Sequence, residues 1–346
     1  MSTVLVTGGA GFIGSNFVRY WLRNHPDDRV VNYDLLTYAA NLANLADVAA
    51  AEADRYVFVR GDIGDYDLAL KTLREYGVDI VVNFAAESHN SRAVIHPDAF
   101  FKTNVVGTVQ LMRAALDARV DRFHHVSTCE VYGDLPLDSA ARFTESSPLV
   151  PKTPYNASKA AADLAVGAFQ LTYDLPATIS NCANNYGPYQ FPEKVIPHFV
   201  VSVLQNKPMT LYRSSRNRRE WLHVDDHCRA IDAILKRGRL AETYNVGSGL
   251  EVDVEGIADR IITHLGVDDS FKTYVADRPS HDRRYLLDSD KLCSELGWHP
   301  EVDFDDGFRR TVDWYRANPA WWQPLLDRVQ IDESRWQDKV AGGGAP

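Results

Sequence analysis

The chain reads as an α/β protein, a Rossmann-like doubly wound parallel sheet with a smaller, mixed α/β lobe attached. Three observations predict this. Short apolar runs alternate with amphipathic stretches through the first 185 residues. The first run leads straight into a glycine triad, Gly8, Gly11 and Gly14. After Asn185 the rhythm breaks at Pro188, Pro192 and Pro197. Strands that alternate with helices pair in parallel through right-handed crossovers.

Residues 3–7 are apolar and end on glycines, as a buried strand feeding a tight turn does. Residues 12–24 carry the spacing of an amphipathic helix, and residues 29–33 read as the next strand, ending at Asp34. A third strand covers 56–60 and leaves through Gly61-Asp62-Ile63. Residues 80–84 form a fourth, followed by a loop over 85–92, a long helix over 102–118 and a fifth strand over 123–127. The helix bearing Tyr155 and Lys159 runs to about residue 170, and residues 177–181 are the sixth strand. Beyond Asn185 come a helix over 197–205 and short strands over 210–212, 221–223 and 243–246, with a helix over 224–238 that returns to the main sheet. The expected units are therefore 1–185, joined by about 220–245, then 186–330, then a tail over 331–346 whose last six residues carry no packing signal.

At 346 residues the chain is too long for one small core, which agrees with two units. Its 45% apolar and 24% charged content is ordinary for a globular protein. A formal charge of −10 argues against nucleic acid or a membrane surface as partner, although one basic run, 213–219, stands out for an anionic ligand. Cys129, Cys182, Cys228 and Cys293 have neither metal-ligand nor disulfide-framework spacing, so reduced thiols and no metal site are expected. The chain shows no basic leader and no apolar segment long enough to span a bilayer, and the expectation is a cytoplasmic protein.

Gly8-x-x-Gly11-x-x-Gly14, enclosing Phe12 and Ile13, is a phosphate-binding turn. Glycine removes the Cβ that would keep the backbone from a pyrophosphate, and the following helix offers free N–H groups and the positive end of its dipole. Asp34 closes the second strand, where a carboxylate accepts hydrogen bonds from ribose hydroxyls and repels a 2′-phosphate, which favours NAD over NADP. Asp62-Ile63 and Ala85-Ala86, at later strand ends, are placed to meet the adenine and the ribose–pyrophosphate. Tyr155 and Lys159, four apart, share a helix face. The lysine ammonium and a nicotinium charge favour the phenolate, which then takes a substrate hydroxyl proton. Ser127-Thr128 supply hydroxyls for the same substrate oxygen, and Lys159 is expected to reach the nicotinamide ribose.

These motifs, with Leu36-Thr-Tyr-Ala-Ala-Asn41, Ala86-Glu-Ser-His89, Thr103-Asn-Val-Val-Gly107, Ser127-Thr-Cys-Glu-Val-Tyr-Gly133, the run from Asn181 to Lys194, Arg219-Glu-Trp-Leu-His-Val-Asp-Asp226 and Asp277-Arg-Pro-Ser-His-Asp-Arg-Arg284, carry a resemblance. The chain is similar to the extended short-chain dehydrogenase/reductases, and among them to the dTDP-glucose 4,6-dehydratase group, over about residues 3 to 315. That resemblance implies tightly bound NAD, a nucleoside-diphosphate hexose (dTDP- or UDP-linked) in the smaller lobe, and a hydro-lyase reaction. In it Tyr155 serves as base at the C4 hydroxyl and Glu130 removes the C5 hydrogen, the C6 hydroxyl leaves as water, and the hydride returns to C6. It also implies that Arg219 and Arg278 meet the diphosphate beside Asn184, and that Glu193 and Lys194 lie near the nucleoside. Ser88, His89, Asn104 and His281 belong to the implied substrate site, and a homodimer forms through the helices 102–118 and 155–170, with Ala160-Ala-Ala162 allowing close approach.

Two positions depart from the pattern. Cys129 stands where the group keeps an aspartic acid that protonates the departing hydroxyl, so Cys129 is either that acid or a small filler with water as the acid. Asn90-Ser91-Arg92 replaces a Val-Asp-Arg on the loop lining the hexose. Together they leave open a 5,6-dehydratase of the UDP-N-acetylglucosamine type, with hydride return to C4. A 4-epimerase needs no C5 base, which counts against it, and a non-catalytic NAD-sensing protein would not need the Tyr155–Lys159 pair.

Overall fold

The computed structural model describes residues 1–277 and 282–329. Seven strands build the main sheet: β1 (Thr3–Thr7), β2 (Arg29–Asp34), β3 (Tyr56–Arg60), β4 (Ile80–Asn83), β5 (Arg122–Thr128), β6 (Ala177–Cys182) and β10 (Thr243–Val246). All pair in parallel, in the order β10-β6-β5-β4-β1-β2-β3. The remaining strands are β7 (Asn184–Tyr186), β8 (Met209–Tyr212), β9 (Arg218–His223), β11 (Glu251–Asp253) and β12 (Lys272–Val275). They form a mixed sheet, β11-β9-β7, and a parallel pair, β12-β8.

Alternation along the strands sends side chains to two helical layers. Val4 and Val6 of β1 join a cluster with Phe17, Val18 and Trp21 of the helix Phe12–Asn24 and with Cys228 and Ile231 of the helix Val224–Arg237. Leu5 points the other way, toward Leu111, Met112 and Val166 of the helices Thr108–Ala118 and Pro154–Tyr173. A third cluster, with Tyr186, Phe199, Trp221 and Tyr315, fills the space between the small sheets and their helices. The chain runs from β1 outward to β2 and β3 and then crosses back to β4 on the other side of β1, so a crevice opens beyond the carboxyl ends of β1 and β4, where open α/β sheets place their ligands.

Two stretches differ from expectation. The helix expected over 102–118 begins with widened π turns, Phe101–Gly107, before the α-helix Thr108–Ala118, and those turns carry Asn104 inward. Within the expected loop 85–92 a helix begins at Asn90, with the His89 ring accepting from the Arg92 N–H as its cap. The expected tail over 331–346 lies outside the described residues.

Candidate active site

The phosphate turn is held open by backbone geometry. Gly8 sits at φ +65°, and a Cβ there would stand 2.8 Å from the Ala85 nitrogen. A Cβ on Gly14 would collide with the Gly8 carbonyl oxygen. Gly11 caps the helix Phe12–Asn24 without a side-chain bond and no acid lies in its first turn, so the leading N–H groups face the cleft uncompensated. Asp34, at the end of β2, accepts from the Ala10 N–H at 2.9 Å and from the Leu36 N–H at 2.7 Å, one bond per carboxylate oxygen. Burial pushes its pKa up, and those two bonds oppose the shift. Gly8, Gly11, Phe12, Ile13, Gly14, Asp34, Asp62, Ile63, Ala85, Ala86, Tyr155 and Lys159, the full set expected at the cofactor, line one cleft. A glycine turn, a helix start and a carboxylate at a strand end fit a dinucleotide.

Thr153 caps the helix Pro154–Tyr173 by accepting from the Asn156 N–H, and so sets the height at which Tyr155 leaves its first turn. The Tyr155 hydroxyl bonds to the Thr128 side chain. Burial pushes the phenol's pKa well up, and the nearby charge of Glu130 adds to that. Lys159 lies one turn further along the same helix. Its Nζ donates to the Val126 carbonyl at 2.8 Å and stands 3.3 Å from the His125 ring, under the sheet end. Burial lowers the Lys159 pKa, while Asp163, one turn further along the helix, opposes this.

Ser127, expected to hold the substrate oxygen with Thr128, lines the first cleft beside it and donates to Asp163 at 2.8 Å. Burial raises Asp163 to about 7 against the pull of Lys159.

Glu130 lies in the 3₁₀ turn Cys129–Tyr132 that follows β5 and lines both the first cleft and a second one of about 640 Å³. Ser88, Asn184, Glu193 and Lys194 also line both, and His89 and Arg219 line the second. Lys194 donates to the Ser88 carbonyl at 2.9 Å. Glu193 accepts from the Tyr38 hydroxyl at 2.9 Å, and burial raises its pKa. The Arg219 guanidinium donates to the carbonyls of Arg218 and Asp282, both at 2.8 Å. Arg278 and His281 lie outside the described residues.

Two expected site residues are placed elsewhere. Cys129 is 1% exposed and belongs to an apolar cluster with Val131, Tyr132, Leu222 and Tyr285, and it lines neither cleft. Burial drives its thiol pKa well up, with Glu130 adding to the rise. Asn104 lines neither cleft either. Its amide accepts from the Glu87 N–H and donates to the Glu87 carbonyl and to Ser158, which ties the loop after β4 to the Tyr155 helix.

The fold also brings in residues that are not expected from the sequence. Gln190 lines both clefts, and its only signal was its place within the run from Asn181 to Lys194. His125 and Asp163 sit in a strand and a helix at positions that read as regular structure, which left no signal for their contact. Among the described residues no group of three or more His, Cys, Asp or Glu could hold a metal ion, and no helix is long and apolar enough to cross a membrane.

A family model described as GDP-mannose 4,6 dehydratase matches residues 5–311. A dTDP-glucose 4,6-dehydratase of Mycobacterium tuberculosis is 47% identical over 337 residues, 97% of this chain and 99% of that protein. One from Xanthomonas campestris pv. campestris is 48% identical over 345 residues, 94% and 97% of the two chains. The crystal structure of DesIV, a dTDP-glucose 4,6-dehydratase from Streptomyces venezuelae with NAD and TYD bound, superimposes with a TM-score of 0.90 at 50% identity, covering 93% of this chain and 99% of that one.

Proposed function

The chain belongs to the GDP-mannose 4,6 dehydratase family, and on that premise we propose the following account of its chemistry. It is a hydro-lyase, a dTDP-glucose 4,6-dehydratase that uses NAD. Its substrate is a dTDP-sugar, taken here as dTDP-glucose. Residues 1–185, with about 220–245, hold the dinucleotide, and residues 186–330 hold the nucleotide-sugar.

Gly8, Gly11 and Gly14 hold the pyrophosphate, Asp34 the adenosine ribose, and Asp62, Ile63, Ala85 and Ala86 the adenine side of the cleft. Bound NAD supplies the hydride acceptor for the C4 oxidation and the donor for the final reduction. Tyr155, with Thr128 on its hydroxyl, takes the proton of the sugar's C4 hydroxyl. The C4 ketone acidifies the C5 hydrogen, and Glu130 removes it. The carboxylic acid so formed hands its proton to the C6 oxygen, the C6–O bond breaks, and water leaves. Cys129 has no part in that transfer, being packed away from both clefts. Lys194, Asn184 and Arg219 hold the nucleoside-diphosphate end in the second cleft, whose size suits a small ligand.

The observation that carries this reading is Glu130, which stands where the two clefts meet with its charge felt by Tyr155. Two further expectations remain proposals. A homodimer is supported by Phe101, Val106, Leu164 and Leu171, exposed on the helical segments Phe101–Gly107 and Pro154–Tyr173; Ala160 and Ala162 are buried. A cytoplasmic setting is supported by four free cysteines.

Incubation with dTDP-glucose is expected to give a base-sensitive 4-keto-6-deoxy chromophore and a product lighter by one water. Retention of mass would replace the dehydratase reading with an epimerase, and turnover of UDP-hexoses alone would move the substrate to a uridine sugar.

A further inference from the structure

Asn90 opens the helix Asn90–Ile95 on the wall of the second cleft, and its side-chain amide is engaged at both ends. Nδ2 donates to Glu130 Oε2 at 3.1 Å, and Oδ1 accepts from the Thr153 hydroxyl at 2.9 Å. Thr153 Oγ1 in turn accepts from the Asn156 N–H at 3.2 Å as the cap of the helix that carries Tyr155.

The polarity of this chain is set from one end. The Glu130 carboxylate, the base in this reading, can only accept, so Asn90 turns its NH₂ to it, and Oδ1 takes the hydrogen of the Thr153 hydroxyl, which also accepts from the Asn156 N–H. The amide is thereby oriented with its NH₂ toward Glu130, without the usual ambiguity of an asparagine. At Glu130 the chain ends on an oxygen that must accept. Thr153 and Glu130 are 6% and 9% exposed, so these bonds face little competition from water.

We propose that Asn90 is a positioning residue for the elimination half of the reaction. Its amide, bonded to the Thr153 hydroxyl at one end, donates to Glu130 Oε2 at the other and keeps the base in register with the helix that presents Tyr155. The inference rests on the reading of Glu130 as the C5 base. A residue without an amide removes the bond to Glu130 Oε2 and the acceptor of the Thr153 hydroxyl.

The test separates the half-reactions. Asn90→Val, with Asn90→Ala as a second variant should valine not fold, is compared with the parent and with Glu130→Gln, using dTDP-glucose in D₂O. Transient NADH absorbance reads C4 oxidation, deuterium entry at C5 by mass spectrometry reads proton removal, and the keto-sugar reads water loss. For the Asn90 variants oxidation is expected within about twofold of the parent, while C5 exchange and water loss fall at least about tenfold, as loss of a hydrogen bond to a charged group implies. The isotope effect on C5–H cleavage is expected to grow in step. A purely structural role for Asn90 would slow oxidation equally, and that result overturns the proposal. Glu130→Gln is expected to stop C5 exchange. Exchange that survives Glu130→Gln removes the base assignment itself. Exchange that is lost in Glu130→Gln but normal in the Asn90 variants removes the Asn90 inference alone.

Discussion

Replacement of Cys129 distinguishes packing from acid catalysis. Its thiol is 1% exposed among Val131, Tyr132, Leu222 and Tyr285. Cys129→Ala removes one sulfur atom from that cluster, and the lost burial plus the small cavity destabilise the fold by about 1–2 kcal/mol. In a chain of this size that lowers Tm by roughly 1–2 °C per kcal/mol. Water loss from the sugar is expected to stay within about threefold of the parent. Cys129→Asp makes a sharper case. A carboxyl with an ordinary pKa of about 3.9 must be held neutral there at pH 7, across about three units at roughly 1.4 kcal/mol each, or about 4 kcal/mol. Arg219, whose charge is felt at this position, offsets part of that cost. A group whose folded pKa is raised loses its contribution as pH climbs, so Cys129→Asp should be markedly less stable at pH 7 than at pH 4 relative to the parent. Thermal unfolding by circular dichroism at both pH values, run beside the transient NADH and keto-sugar assays, reads the two effects separately. An alanine variant with parental Tm that oxidises C4 normally yet releases no water would refute the packing argument and make the thiol the acid.

The remaining predictions bear on the cofactor cleft and the buried polar cluster. Gly8→Ala places a Cβ 2.8 Å from the Ala85 nitrogen at a φ of +65°. The left-handed backbone alone costs about 1–2 kcal/mol, and NAD retained after gel filtration should fall sharply; full retention would show that the turn does not touch the pyrophosphate. Tyr155→Phe should reduce C4 oxidation by about 10²–10⁴-fold while leaving nucleotide-sugar affinity unchanged, and undiminished transient NADH would sink the role given to the phenol. Asp163, raised by burial from 3.8 to about 7, binds its proton more tightly folded than unfolded, so stability declines as pH rises between those values. Asp163→Asn should flatten that decline by up to about 4 kcal/mol at roughly 1.4 kcal/mol per unit, measured by urea unfolding at pH 4 and 7; an unchanged pH slope would count against a buried, proton-holding carboxyl.

The parts of the molecule legible in the sequence are those where one local rule decides. Apolar alternation placed β1 at Thr3–Thr7 and β3 at Tyr56–Arg60 to the residue, and the helix Phe12–Asn24 likewise. The glycine turn, Asp34 and the YxxxK pair were readable because backbone approach, ribose bonding and helical spacing each demand a particular residue type. Contacts that depend on register between distant elements were not. Ser127 and Asp163 are 36 residues apart, and only the packing of the Tyr155 helix on β5 brings them together. Asn104 was read as a substrate contact since it belongs to a recognisable motif, but the π turns aim its amide at the Glu87 backbone. The motif was visible, whereas the direction of its side chain was decided by tertiary packing.

The same distinction explains why Cys129 and Glu130, adjacent in sequence, part company in space. Thr128 ends β5 with extended dihedrals, φ −143° and ψ 150°, and accepts from the Glu130 N–H in the turn that follows. In the 3₁₀ turn Cys129–Tyr132 that this cap opens, successive side chains leave in different directions. Thr128 and Glu130 accordingly face the cleft while Cys129 enters the apolar cluster behind it. A proton donor for the C6 oxygen must come from the cleft side. In the proposed reaction Tyr155, bonded to Thr128, serves the C4 oxygen, so the carboxyl of Glu130, protonated by the preceding step, would be the donor that this strand end presents. On that proposal base and acid would reside in one group, and its orientation, with Oε2 bonded to Asn90, would govern both the arrival of the proton and its departure.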